Sequence, residues 1–200
     1  MSAVMERPAT APEWFVDQMP PGYRNRIAEI ERLTMELEAM DRFGGLLWQS
    51  GAGLEAVVRD AFAALKLELT QPQEAAGFFI ARLDANRRLL IFTAPATGVL
   101  QKKGPELAEV FRILHEFAHG SDRVVVVANS HPDVAPDDRD DGVTPEALNL
   151  LSRLGANFLS APTLFALWKL AFEDGDRVRR YLERLYEQDG GSAPPLPGGR

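Results

Sequence analysis

The segment VVVVA at Val124–Ala128 decides the fold class of this 200-residue chain. All five residues are apolar and four are valines. A short continuous apolar run of this kind is typical of a strand in the centre of a sheet that is covered on both faces. Helices on both sides of a sheet provide such a cover. The segment therefore predicts the central strand of an α/β domain.

Helix and strand signals alternate on both sides of this segment. Helices are indicated by apolar residues at a spacing of 3.6 and by Gly or Pro at their ends, and strands by short apolar runs between turn residues. In chain order we predict a helix over residues 54–65, strands at Leu67–Thr70, Gly77–Leu83 and Leu89–Thr93, a helix from Pro105 to about His119, the strand Val124–Ala128, a helix from Pro145 to Gly155, a strand at Asn157–Ser160, a helix from Pro162 and a last helix at Asp176–Gln188. This order predicts a mixed sheet flanked by helices.

A helical arm is predicted ahead of this domain. Ile30, Leu33, Leu37 and Met40 recur at spacings of three, four and three, the a/d pattern of a coiled-coil seam. The seam is only about two heptads long. It is compatible with an arm packed on its own domain or with self-association, and we favour a homodimer. Gly44-Gly45 is expected to end this helix.

The predicted organisation has four segments. Residues 1–20 are Pro-rich and are expected to be flexible, 21–43 form the helical arm, 44–188 form the α/β domain, and 189–200 are a Gly/Pro tail that is expected to be disordered.

Composition limits the classes of partner. There are 29 acidic against 22 basic residues, a net charge of −7, which argues against tight binding to a phosphate backbone. Without cysteine there are no disulfides or thiolate metal ligands. No apolar run is long enough to cross a bilayer and no secretory signal is visible, so we expect a cytoplasmic protein without a membrane span.

Two stretches of the sequence are similar to a known superfamily. LLWQSGAGLEAVVRDAFAALKLEL at residues 46–69 and VVVVANSHPDVAPDDRDDGVTPEALNLLSRLGANFLSAPTLFAL at residues 124–167 resemble bacterial members of the restriction-endonuclease-like, PD-(D/E)xK, superfamily. The resemblance covers about residues 44–170. It implies a three-layer α/β/α sandwich around a mixed β-sheet, which agrees with the order of elements predicted above.

The resemblance also implies a catalytic pattern, from which this sequence departs. The superfamily uses a carboxylate at the start of the second strand and an acidic-x-Lys pair on the third, which hold Mg²⁺ and activate water. Here Ala76 stands near the first position, and Phe92 and Ala94 near the other two. Only Glu55 matches an acidic residue that sometimes joins such sites. The resemblance therefore implies that the fold is kept and that the nuclease site is lost.

An alternative to a lost nuclease site is an active site whose catalytic residues lie at other positions. The carboxylates and amines that could rebuild a metal-dependent phosphodiesterase are Glu55, Glu74, Asp84, Lys102 and Lys103.

A third interpretation comes from His115-Glu116-Phe117-Ala118-His119, which spells HExxH. In zinc hydrolases the two histidines of this motif lie one helical turn apart as ligands, and the glutamate is the general base. The sequence indicates no third ligand, and the predicted helix stops at Gly120. A pair of surface or cap histidines, which are favourable near a helix C-terminus, is therefore the explanation that we favour over a zinc site.

The acid-rich segment from Asn129 to Gly142 is predicted to be a solvated loop, within which Arg139 is a candidate partner for the aspartates.

The leading interpretation of the whole chain is a non-catalytic adaptor or scaffold without a cofactor. It would act on a protein partner that the sequence does not identify, through the apolar side chains of Ile30, Leu33, Leu37 and Met40.

Overall fold

The computed structural model describes residues 13–72, 77–95 and 97–196. It has α/β architecture with a mixed, six-stranded sheet. The chain divides into two compact units, with the boundary between Asp41 and Arg42. Its strands are β1 (Glu68–Thr70), β2 (Phe78–Arg82), β3 (Arg88–Thr93), β4 (Arg123–Ala128), β5 (Ala156–Ser160) and β6 (Gly191–Ser192). Its helices are α1 (Tyr23–Trp48), α2 (Gly51–Ala64), α3 (Pro105–Glu116), α4 (Pro145–Leu154), α5 (Ala161–Glu173) and α6 (Gly175–Glu187).

The order of strands across the sheet is the same as their order along the chain. β1, β2 and β3 pair antiparallel, whereas β3, β4, β5 and β6 pair parallel. Val124 of β4 pairs with Leu90 of β3 on one side and with Ala156 of β5 on the other. The prediction of a central strand at Val124–Ala128 and of a mixed sheet is confirmed.

Two apolar clusters cover the two faces of the sheet. Alternate side chains of β4 point to opposite faces, because a strand has a period of two. Val125 and Val127 pack with α2, α5 and α6, and Val124 and Val126 pack with α3 and α4. All four valines are fully buried. The α/β domain is therefore a three-layer sandwich with a core on each side of the sheet.

The ends of α4 form as the sequence predicts. The Thr144 hydroxyl accepts a hydrogen bond from the Ala147 N–H at 3.3 Å, and Pro145 occupies the first turn. Gly155 ends the helix at a φ of 67°, in the left-handed region where glycine has no steric penalty.

The prediction that Gly44-Gly45 ends the arm helix is wrong, because α1 continues to Trp48. Gly45 and Leu46 are buried. A β-carbon at Gly45 would lie 3.1 Å from Cγ2 of Val57, which is on α2. The missing side chain thus lets α1 and α2 approach closely, and this packing outweighs the low helix propensity of glycine.

The two ends of the chain also differ from expectation. Glu13–Gln18 form a 3-10 helix, and Asp17 pairs with Arg24, so this part of the segment predicted as flexible has regular structure. Gly191–Ser192 form β6 within the tail that we expected to be disordered. The Ala193 N–H donates to the Phe158 carbonyl at 2.7 Å, so main-chain pairing with β5 orders a segment that has little side-chain signal. Residues 1–12 and 197–200 lie outside the described part of the chain.

None of the helices in the described ranges combines the length and the apolar character that crossing a bilayer requires.

The two adjacent glycines of α1 give a test of this packing. Gly45→Leu should lower the free energy of unfolding by about 1–3 kcal/mol, because the side chain overpacks the contact with Val57. A β-carbon at Gly44 would meet nothing within 4 Å. Gly44→Ala should therefore raise stability by about 0.5–1 kcal/mol through helix propensity. Urea denaturation of both variants measures this; a loss of stability in both would contradict the packing argument.

Candidate functional site

Apolar packing fills the end of β3, where the resemblance leads us to expect catalytic residues. Phe92 and Ala94 are 4% and 1% exposed and lie in the apolar cluster on the α3/α4 face of the sheet. Phe92 pairs in the sheet with Phe78 of β2 and Val126 of β4. Side chains without charge or lone pairs cannot ligate a divalent cation. The geometry around Phe92 is therefore that of a core.

The structure does not bring Glu55 to this place. Glu55 lies on α2, whose buried side chains pack against the opposite face of the sheet from Phe92. Its carboxylate is partly exposed and lies 3.9 Å from the Arg59 guanidinium, one helical turn away. Ala76 is outside the described residues.

The other candidates for a displaced active site are also dispersed. Asp84 lies in the turn before β3, at the opposite end of that strand from Phe92, a distance of roughly 15 Å at the rise of a strand. Its carboxylate accepts hydrogen bonds from the Asn86 N–H and from the guanidinium and N–H of Arg87, and these bonds hold its pKa below the usual range. Lys102 and Lys103 lie in the exposed turn before α3. Glu74 falls outside the described ranges, within which no three Asp, Glu or His side chains are grouped to hold a metal ion.

The HExxH motif does not lie on one helical turn. α3 ends at Glu116, so His115 is helical whereas His119 is in the following loop. The helix stops here because Asp122 accepts the His119 N–H at 2.9 Å, in place of a helical carbonyl. Glu116 pairs with Arg112 at 3.0 Å, and both histidines are exposed. The prediction of a helix to His119 is wrong, and with it the spacing that would aim both imidazoles at one zinc ion fails.

The acid-rich loop is organised by Arg139 in a way that the sequence analysis missed. We expected Arg139 to pair with loop aspartates. Instead its Nε donates to the Val134 carbonyl at 2.8 Å, its Nη1 to the Asn129 side-chain oxygen at 2.7 Å, and its Nη2 to the Leu47 carbonyl. Asn129 is fully buried, and its amide donates to the Gln49 carbonyl at 2.8 Å. Two side chains of one loop thus satisfy main-chain carbonyls at the end of α1.

This arrangement is electrostatically favourable although it contains no ion pair. The carbonyls at a helix C-terminus carry a partial negative charge, which a guanidinium complements. Burial lowers the pKa of Arg139 from its ordinary value, but an arginine keeps its charge at neutral pH. The hydrogen bonds offset the cost of that desolvation.

The arm presents its predicted seam to solvent. Ile30, Leu33, Leu37 and Met40 are 57%, 50%, 60% and 51% exposed. All four lie on α1, within an arc of about 80° at 100° per residue. This exposed apolar stripe is termed the arm seam below.

The α/β domain also contains a cleft of about 760 Å³. It lies at the carboxyl ends of β4 and β5 and is lined by Ser130, Ser160 and several prolines, among them Pro145, Pro162 and Pro194. Ligands of open α/β sheets often bind at such an edge, and the parallel order of the strands could have indicated it. Two of its serines are engaged within the chain: Ser130 donates to the Gly142 carbonyl, and Ser160 caps α5. We assign it no ligand.

No family model, curated protein or solved structure matches this chain. The restriction-endonuclease-like assignment therefore remains a prediction from the two stretches of sequence.

Arg139 should be a strong determinant of stability. Arg139→Ala removes the partners of several main-chain carbonyls and of Asn129, and it should lower the free energy of unfolding by about 2–4 kcal/mol. Asp138→Asn, an exposed change in the same loop, should alter it by less than about 0.5 kcal/mol. Thermal and urea denaturation compare the two. Equal effects of both substitutions would show that the guanidinium network contributes nothing specific.

Purified protein prepared without chelator should contain far less than one equivalent of zinc, because the helix end separates the histidine positions. Elemental analysis by mass spectrometry measures this content. Zinc close to one per chain that is lost in His115→Ala would overturn the geometric argument.

Proposed function

We propose that this protein is a non-catalytic member of the restriction-endonuclease-like fold that acts as an adaptor or scaffold through protein contacts. The observation that carries the proposal is the burial of Phe92 and Ala94 in an apolar cluster. A nuclease of this kind holds its metal ion with charged side chains at these positions. Here the same positions stabilise the core instead.

The arm seam supports the second half of the proposal. Contiguous apolar side chains that remain exposed typically mark a surface for another protein. The seam is such a stripe, on a helix with charged neighbours on its flanks. The α/β domain exposes other large apolar side chains as well, with Phe172 at 69%, Trp48 at 63% and Phe111 at 58%.

The net charge of the chain also favours a protein partner. At −7, its overall field repels a phosphate backbone rather than attracting one. A protein surface requires no such excess of positive charge, because its contacts depend on apolar anchors and a polar rim.

The proposal predicts that the protein does not cleave single- or double-stranded DNA or RNA in the presence of Mg²⁺ or Mn²⁺. Gel assays with a known metal-dependent nuclease as positive control measure this. The matched control is Glu55→Ala, which should be indistinguishable from wild type because Glu55 faces away from Phe92 across the sheet. Metal-dependent cleavage that disappears in Glu55→Ala would refute the proposal and establish the displaced active site.

A further inference from the structure

We infer that a second pocket of the α/β domain binds a small apolar molecule that carries one carboxylate, and that Lys66 holds the carboxylate. The pocket lies beside the amino end of β3, at the opposite end of the parallel strands from the cleft described above. Its volume of about 420 Å³ is within the range of small-molecule sites. The inference goes beyond the adaptor function and does not depend on it.

The backbone of Lys66 has a conformation that favours glycine. Lys66 follows the C-cap of α2, and its φ is 64°. Gly155, with a φ of 67°, has no side chain to clash at the end of α4. His131, the other non-glycine residue of the described ranges with a positive φ, is of a type enriched in this conformation, whereas lysine is not. Strain of this kind is frequent where a side chain has a function.

The end of α2 does not itself require a lysine. The Lys66 N–H donates to the Ala63 carbonyl at 2.9 Å, and the Leu67 N–H donates to the Phe62 carbonyl at 3.4 Å. A glycine at position 66 forms the same bonds without strain. A cation that only complements the helix carbonyls could lie in the last turn of α2, which has no basic residue and no left-handed backbone. The lysine is better explained by the pocket beside it.

The pocket has an apolar floor. Five apolar side chains from three parts of the domain line it, and they are Leu67, Leu83, Ala171, Val178 and Leu182. Val178 and Leu182 are buried in α6, whereas the other three pack on the same apolar cluster and stay partly exposed. A ligand that covers this floor removes apolar surface from water, which stabilises the complex.

The rim of the pocket has one cation without an acidic partner. Nε of Arg179 lies 3.3 Å from the Glu183 carboxylate, and Nη2 of Arg87 lies 3.7 Å from the same carboxylate. Arg87 also pairs with Asp84 in the turn before β3. Lys66 lines the pocket and makes no ion pair with any of the described residues. Its ammonium group is therefore available to an anion.

These pairings select the charge of the ligand. A single ammonium matches a single negative charge. A phosphate monoester carries nearly two charges at neutral pH and is bound best by a bidentate arginine, but both arginines of the rim are engaged. Asp176, the second acid of the rim, lies in the first turn of α6, where the helix dipole stabilises it, and it repels any further negative charge. A carboxylate is therefore the group that fits.

Octanoate and 1-octanol test the pocket, because they have the same chain length and differ in charge. In a methyl NMR titration, octanoate should shift the signals of Leu67, Leu83 and Val178 saturably. The dissociation constant should be on the order of 0.1 mM, which a ligand of this size can reach. Octanol should bind about fivefold more weakly, the upper end for an exposed ion pair. Val126, on the other face of the sheet, should not shift. Absence of saturable shifts, or equal affinity for both probes, would overturn the inference.

Substitutions of Lys66 separate the amine from the backbone. Lys66→Gly should raise Tm by about 2–4 °C, because it relieves the left-handed strain. It should also weaken octanoate binding about fivefold, to the affinity of octanol. Lys66→Arg should keep most of the affinity, because it keeps the positive charge. Lys102→Gly, at an exposed lysine outside the pocket, should neither raise Tm nor change the affinity.

Two outcomes of these substitutions contradict the inference. If Lys66→Gly binds octanoate as tightly as wild type, the ammonium group does not hold the carboxylate. If Lys66→Gly lowers Tm, the backbone of Lys66 is not strained and the observation that singles out this residue is lost. Neither outcome affects the adaptor function, which the nuclease assay tests separately.

Discussion

The hydrogen bonds of Arg139 hold together parts of the domain that are far apart in the sequence. Its guanidinium joins the loop after β4 to the last turn of α1, 92 residues away along the chain. Asn129 makes a parallel connection from the end of β4 to Gln49. Because α2 begins at Gly51, two residues after Gln49, the same bonds fix the start of a helix that packs on one face of the sheet. The acid-rich loop is therefore structural at its arginine, whereas its aspartates are exposed to solvent.

The elements that could be predicted from sequence are those in which local pattern and tertiary environment agree. The valines of β4 have one placement, in a strand covered on both faces, and Thr144 and Gly155 determine the ends of α4 by local hydrogen bonding. The errors occur where a distant residue decides the outcome. Gly45 stays helical because Val57 of α2 packs into the space that a side chain at position 45 would occupy. The end of α3 depends on Asp122, and β6 depends on the open edge of β5.

The candidate site, too, could be predicted from the sequence only in part. The sequence could show that Phe92 and Ala94 lack the chemistry of metal ligands, but only the packing shows that they belong to a closed apolar cluster. It could not show that Glu55 lies across the sheet from them. Arg139 was missed because a guanidinium among aspartates suggests ion pairs, whereas burial and geometry favour helix carbonyls.

The agreement between strand order and chain order has a consequence for synthesis on the ribosome. Each strand from β2 to β6 finds its neighbour already translated, so the sheet can grow in the direction of translation without waiting for a distant segment. The last addition is the two-residue β6. Until it leaves the exit tunnel, β5 is an uncovered edge that is able to pair with other nascent chains. A premature stop codon shortly before residue 191 would leave both cores encoded. The product would nevertheless keep an unpaired β5 edge that can pair with strands of other chains.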